Sequence, residues 1–531
     1  MEPSLGSDVL SAAAPRALPK SVQASPIRWW MPSLVDLFFL ALLSWLFLSS
    51  GEHGWQSLLA DADVGWHIRT GEYILDHRSV PHQDLYSFSK PSAPWFAWEW
   101  LSDVLFAVLH RWTGLKGVVL LAGVVIAAFP ALLLRRMIWA GSHPFPALLV
   151  VLFGVGAASM HFLARPHVFT LLFLGLCMWM MEAERQQPRR WIWWLVPICW
   201  LWTNLHGGFL VLVAALGVAA AGAAAEAWLS PEKNWTPALR WAKLTAACGL
   251  VSLANPYGWQ LHAHVFEFLR SDWIKNVVQE FQSPVFRGEA MMQFEALLFI
   301  GLIAAGSLLK RKRIVEGLWI LFFAYLSLSS ARHVPVFVAA VSPLVAMELT
   351  AWWQEMTAGA ASKSTAGILN NMANDMRGGF ARFSVIPVLG VLILALTGAP
   401  AKWPHDFPKK MFPTAIISTH SSSIFGARVF TTDQWADYLI YRNPAQKVFV
   451  DGRSDFYGAE IGDKFLHTVN GGKEWQDVLR QYQFDWVLLP NTTALVQLLK
   501  QDSRWRTVTD DGENVLLERY PRTVLEAFNK K

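Results

Sequence analysis

The chain has 531 residues, of which 53% are hydrophobic and only 16% charged, with a mean hydropathy of +0.30. A soluble domain carries about a quarter charged residues, so a wholly water-soluble protein is excluded. The net charge of +5 places Lys and Arg in short loops between apolar runs, where they set topology, so nucleic acid is excluded as a partner. The 29 Trp fit a membrane protein, because the ring is apolar and its N–H is polar. Cys177, Cys199 and Cys248 lie inside apolar segments, form no CxxC metal motif, and read as small buried hydrophobes.

Residues 1–30 are polar, small and Pro-rich and predict a disordered cytoplasmic N-terminus. The first apolar run, 32–50, is too long for a signal-peptide core and lacks a cleavage site after it, so it reads as a retained membrane helix. Further apolar runs follow at 116–134, 147–163, 166–181, 191–206, 208–228, 240–254, 292–309, 314–330, 333–350 and 383–399. The pattern predicts an α-helical polytopic membrane bundle of about eleven transmembrane helices over 31–400.

Basic residues test that count. Lys20 and Arg28, Arg135 and Arg136, Arg185 to Arg190, Lys233 to Lys243, Lys310 to Arg313, and Lys363 to Arg382 all fall on one side of an eleven-helix bundle. Short basic loops stay in the cytoplasm. The expected protein is therefore multi-pass in the inner (plasma) membrane, with its N-terminus cytoplasmic and its C-terminus outside. Two outer loops, 51–115 and 255–291, are long, and the first carries an amphipathic interfacial helix around Glu99–Trp112. The segment 351–382, rich in Ala, Ser, Gly and Asn, reads as a flexible cytoplasmic linker.

From 401 to 531 the composition becomes that of a soluble, extracytoplasmic α/β domain. Strands are expected at 428–431, 447–451 and 486–490, helices at 433–441, 474–482 and 493–500, and a closing hairpin around Asp511–Gly512.

The residues with chemistry gather at the outer ends of the helices. Asp61, Asp63 and His67 open the first outer loop; at i, i+2 in extended backbone, two acids can approach one divalent ion or act as a base. A solvated loop is the plain alternative. Glu99 reads either as a further carboxylate or as the start of the interfacial helix. His161, Arg165 and His167 share one turn, Asn204 and His206 another, Asn255 to Tyr257 a third, and Arg332 and His333 a fourth. Ionisable groups near a membrane mark function, because lipid exposure is costly; snorkelling at helix ends is the alternative. Arg165, Arg332 and Arg287 are the cations available to hold a phosphate.

This arrangement resembles the GT-C superfamily of membrane glycosyltransferases, in the uncharacterised bacterial branch of the type that depends on polyprenyl-phosphate sugars. The matching features are an N-in first helix, acids soon after it in a long first outer loop, about eleven helices, and a C-terminal extracytoplasmic domain, over about 30–531. The resemblance implies a catalytic base or metal ligand at Asp63, with Asp61 as its neighbour, and a possible divalent metal on the two. It implies a donor phosphate at Arg165 and Arg332; the gathering of polar groups on the same outer face adds His67, Glu99, His167, Asn204, His206 and His333 as substrate-binding candidates. Implied partners are a polyprenyl-phosphate sugar donor, membrane lipid, and a glycan, lipid or protein acceptor. The stretch PheValAspGlyArgSerAspPheTyrGly (449–458) is similar to one in bacterial proteins of this type. Its Asp451, Arg453 and Asp455 either bind an acceptor or knit the domain to the bundle. The sequence lacks a WWDxG-type motif and a clear protein-mannosyltransferase signature.

Two other functions compete with a transferase. A transporter or flippase wants broken helices with ionisable groups near mid-membrane, whereas here the polar groups gather at helix ends. A non-catalytic scaffold with a partner-binding C-terminal domain predicts that Asp61, Asp63, Arg165 and Arg332 tolerate alanine.

Overall fold

The computed structural model describes residues 29–48, 54–380, 382–396 and 403–520. The expected disorder at 1–30, and Lys20 and Arg28 with it, falls almost wholly outside these residues. Among the described residues six helices are long and apolar enough to cross a membrane: Leu115–Trp139, Pro144–His161, His167–Gln186, Phe209–Leu229, Ala290–Lys310 and Ala331–Met356. Shorter apolar helices lie at Leu34–Leu48, Ile314–Ser329 and Ile386–Leu396, and helices Leu195–Leu205 and Thr236–Val251 occupy the two remaining apolar runs. The chain is a multi-pass membrane protein.

The helix Ala331–Met356 lies at the centre and is the most enclosed of the six. Outer helices turn Leu149, Leu152, Phe299, Ile303 and Tyr325 outward, all at least half exposed. Such faces suit hydrocarbon rather than water. At one end of the bundle the cations are tied to acids: Arg136 to Glu182 at 2.8 Å, and Arg185 to Glu226 at 2.8 Å and Glu316 at 3.1 Å. Arg136 and Glu182 are both buried, a setting in which an unpaired charge is costly.

Two segments differ from expectation. The stretch 351–382 contains the helix Thr365–Phe380 with Ala373 and Phe380 buried, and Trp353 donates its indole N–H to Asn370 at 2.8 Å. Low-complexity composition concealed an amphipathic period whose few apolar residues find the bundle. The loop 51–115 holds the helix Asp63–His77, packed against Trp100–Thr113, the expected interfacial helix.

The C-terminal part carries a four-stranded sheet: β1 (Val429–Phe430), β2 (Trp486–Pro490), β3 (Trp505–Asp510) and β4 (Asn514–Arg519), in the order β1-β2-β4-β3. β1 and β2 are parallel; β4 runs antiparallel to both β2 and β3. Gly512 has φ +90°, which the tight β3–β4 turn requires. The expected strand at 447–451 does not join this sheet. Val448 instead exchanges backbone hydrogen bonds with the first long loop, donating to Tyr86 O at 2.8 Å and accepting from Phe88 N at 2.9 Å. Its alternating apolar pattern serves a seam between domain and loop.

That seam is polar inside. Arg453, buried, lies 2.6 Å from Asp451 Oδ2 and 2.9 Å from Asp84 Oδ1, and its guanidinium faces the rings of Trp95, Phe456 and Tyr86. Tyr457 Oη donates to Asp451 at 2.8 Å. The 449–458 stretch thus knits the domain to the loop. Asp455 reaches His264 at 2.9 Å, and Trp273 donates to Asp463 at 2.7 Å, fastening the 255–291 segment to the helix Ser454–Val469.

Candidate active site

Asp61 Oδ1 accepts the backbone N–H of Asp63 at 2.8 Å, a turn that opens the helix Asp63–His77. The two acids therefore sit at a helix start and not in extended backbone, which corrects the sequence reading. Arg165, in the turn after His161, spans both, with Nη1 2.7 Å from Asp61 Oδ2 and Nη2 2.6 Å from Asp63 Oδ2. Burial opposes the Arg165 charge, but Asp61 and Asp63 outweigh it and hold its pKa above the ordinary arginine value. Asp61 is the more open acid, with 16% of its side chain exposed against 5% for Asp63.

Asp63 faces Asp437 of the C-terminal helix Asp433–Arg442, carboxyl to carboxyl. A Cβ at Gly452 would fall 2.1 Å from Asp63 Oδ1 and 2.9 Å from Asp437 Oδ2, so only glycine admits this meeting. Burial pushes both carboxyls well above the usual range; Arg165 pulls Asp63 down and Asp61 pushes it up. The Arg165 ion pair and the hydrogen bond from Asp437 favour charge on Asp63, while burial and Asp61 favour a proton there; Asp63 in turn favours a proton on Asp437. Two carboxyls in contact cannot both be ionised, so the pair holds a shared proton.

His67 points from the same helix into a second cluster. Its Nδ1 is 2.6 Å from Asp103 Oδ1 and its Nε2 is 3.5 Å from Glu99 Oε2. Glu99 Oε1 is 3.2 Å from His206 Nε2. His206 Nδ1 accepts from Gly208 N at 3.0 Å, and Thr170 Oγ1 lies 2.7 Å from it. With Nδ1 an acceptor, a neutral His206 carries its hydrogen on Nε2 and donates to Glu99. Burial raises Glu99 to about 8, against the pull of Arg165 and Arg332. Burial also lifts Asp103 and, with Arg165 and His206, lowers His67.

A third group completes the rim. Glu280 lies 3.7 Å from both Arg332 Nη1 and His161 Nε2, and Arg332 stacks on Phe281 at 4.3 Å. Burial opposes the Glu280 charge, but Arg332 and His161 prevail and hold it well below the usual carboxylate range. His167 Nε2 lies 2.7 Å from His161 O. Other candidates do structural work. Asn204 accepts from Trp100 Nε1 at 2.8 Å, His333 Nδ1 meets Leu326 O at 3.2 Å, and Tyr257 Oη donates to Pro81 O at 2.7 Å. Arg287 is exposed and makes no ion pair among the described residues.

The sequence reading did not single out Asp103, Glu280 or Asp437. Glu99 and Asp103 stand at i, i+4, as do Asp433 and Asp437, a spacing that puts both members on one helix face. Glu280 had no such signal. Asp61 and Asp63, the pair the sequence offered to a divalent metal, both hold the Arg165 guanidinium, and among the described residues no three His, Cys, Asp or Glu side chains cluster.

No protein-family model and no curated protein sequence matches the chain. Solved structures do match. The archaeal oligosaccharyltransferase AglB from Archaeoglobus fulgidus, in complex with an inhibitory peptide and a dolichol-phosphate, aligns at TM-score 0.56 and 11% identity over 86% of this chain and 69% of its own. The chain shares the fold of this oligosaccharyltransferase, the GT-C fold. The apo form of the same archaeal enzyme aligns at TM-score 0.47 and 12% identity over 86% and 69% of the two chains. ArnT from Cupriavidus metallidurans aligns at 0.39 and 12% over 91% and 95%. On this GT-C scaffold the acids, histidines and Arg165 gather at the end that receives the C-terminal domain.

Proposed function

We propose that this chain is a GT-C glycosyltransferase that moves a sugar from a polyprenyl-phosphate-linked donor to the hydroxyl of a glycan, lipid or protein acceptor at the outer face of the inner membrane. The observation that carries this reading is Arg165 held across Asp61 and Asp63, with Glu99 and Arg332 within electrostatic reach. In this reading all eleven apolar helices span, the N-terminus is cytoplasmic, and residues 401–531 form an extracytoplasmic domain over the site. The dolichol-phosphate in the AglB complex supports a lipid-linked phosphate as carrier class.

The reaction is a single displacement with inversion. The acceptor oxygen attacks the anomeric carbon, the bond from that carbon to the phosphate oxygen breaks, and the hydroxyl proton passes to Asp61, the more open carboxylate. Arg165 and Arg332 stabilise the departing phosphate, where low dielectric makes fixed cations effective. Asp63, sharing its proton with Asp437, positions Arg165. The test is consumption of a polyprenyl-phosphate-linked sugar by purified protein in liposomes. Asp61→Asn should lower turnover about 10²–10⁴-fold, the range of a lost general base. Full turnover in Asp61→Asn and Arg165→Ala would favour the scaffold reading.

A further inference from the structure

His67 is held between two carboxyls, Asp103 at Nδ1 and Glu99 at Nε2. A neutral imidazole has one hydrogen and one lone pair. Its one hydrogen bond to a carboxyl runs from Nδ1 to Asp103; with the hydrogen on Nδ1, the Nε2 lone pair faces Glu99 Oε2 at 3.5 Å and disfavours a negative charge there. A doubly protonated His67 is disfavoured by its burial and by Arg165, His206 and His167 nearby. The facing lone pair and burial together favour a proton on Glu99. The two carboxyls differ: Asp103 is fully buried with Oδ2 unpartnered, whereas Glu99 is 13% exposed, faces His206, and lies within reach of Arg165, Arg332, Glu280 and Asp455.

From this we infer that Glu99 is a proton switch for the anion site at Arg165 and Arg332: protonated it leaves those arginines available to a carrier phosphate, and ionised it opposes that phosphate. The inference rests on the donor reading above. Arg165 and Arg332 already face Asp61, Asp63 and Glu280, so ionisation of Glu99 adds a further negative charge beside the two arginines. By linkage, phosphate binding and proton binding at Glu99 strengthen each other.

The experiment is binding of polyprenyl phosphate to the full-length protein in nanodiscs between pH 7.5 and 9.5, where the second ionisation of a phosphate monoester, near 6, is complete. With Glu99 near 8, the dissociation constant should rise about tenfold per pH unit once Glu99 ionises. Glu99→Gln, which cannot ionise, should bind with no such slope. Calorimetry of the wild-type protein at pH 8.5 in two buffers of different ionisation enthalpy should record uptake of about three quarters of a proton per phosphate bound. That readout needs no variant to fold. Binding without proton uptake, or an unchanged slope in Glu99→Gln, overturns the switch and leaves the donor reading standing. No binding at any pH overturns both.

Discussion

Arg165 is the residue on which the site turns, because its fork meets two carboxylates at once. Arg165→Lys keeps the charge and loses the two-pronged geometry. Turnover should fall about 10²-fold or more, with a near-normal melting temperature. Arg165→Ala leaves two acids facing each other without a cation. Breaking a buried pair costs about 3–5 kcal/mol; because 26% of the Arg165 side chain is open, about 2–3 kcal/mol is expected, read as a lower unfolding midpoint in detergent. The sequence pointed to Asp61, Asp63 and Arg165 individually, since acids and arginines beside apolar runs stand out. It did not reveal that the three form one ion-pair cluster, because Arg165 is 104 positions from Asp61. Asn204 and His333 were conspicuous for the same reason and proved to anchor neighbouring backbone and indole groups.

Among elements, the decisive contact is between the start of the helix Asp63–His77 and the C-terminal helix Asp433–Arg442. Gly452→Ala should drive a methyl into both carboxyls and loosen the domain by about 1–3 kcal/mol, the cost of overpacking a filled site. Protease sensitivity within 401–531 should rise while the bundle stays intact. The sheet was legible because β2 is an apolar run with a turn after it and β3–β4 bracket an Asp-Gly turn. The stretch 447–451 has the same local pattern as β2, and only its partner differs: Tyr86 and Phe88 of a distant loop compete for its backbone, which no local pattern records. The helix Asp63–His77 was missed because its polar face, with Arg69, Glu72 and Asp76, hides a buried face made of Val64, Ile68, Gly71 and Ile74.

At the scale of the whole molecule, the domain is fastened to the bundle by buried polar groups as well as by apolar packing. The Asp63–Asp437 pair has a folded pKa raised above the unfolded value, chiefly by burial. Its contribution to stability is therefore complete below the ordinary carboxylate pKa and is lost as the pH rises through the raised value. Asp437→Asn removes that titration. The variant's melting temperature should fall less than the wild type's between pH 5 and pH 8.5, as followed by intrinsic Trp fluorescence. Membrane character was legible throughout, because hydropathy reports it directly. Each of the eleven apolar runs coincides with a helix, and among the described residues six of these are long enough by themselves to cross.

The central claim is that the cluster around Arg165 receives a lipid-linked phosphate, and mass spectrometry of lipid retained by gently purified protein tests it most directly. Wild-type protein should carry a polyprenyl phosphate that Arg165→Glu, purified in the same way, has lost. Wild-type protein free of such lipid even after it is supplied, or equal retention by the two proteins, would contradict the account.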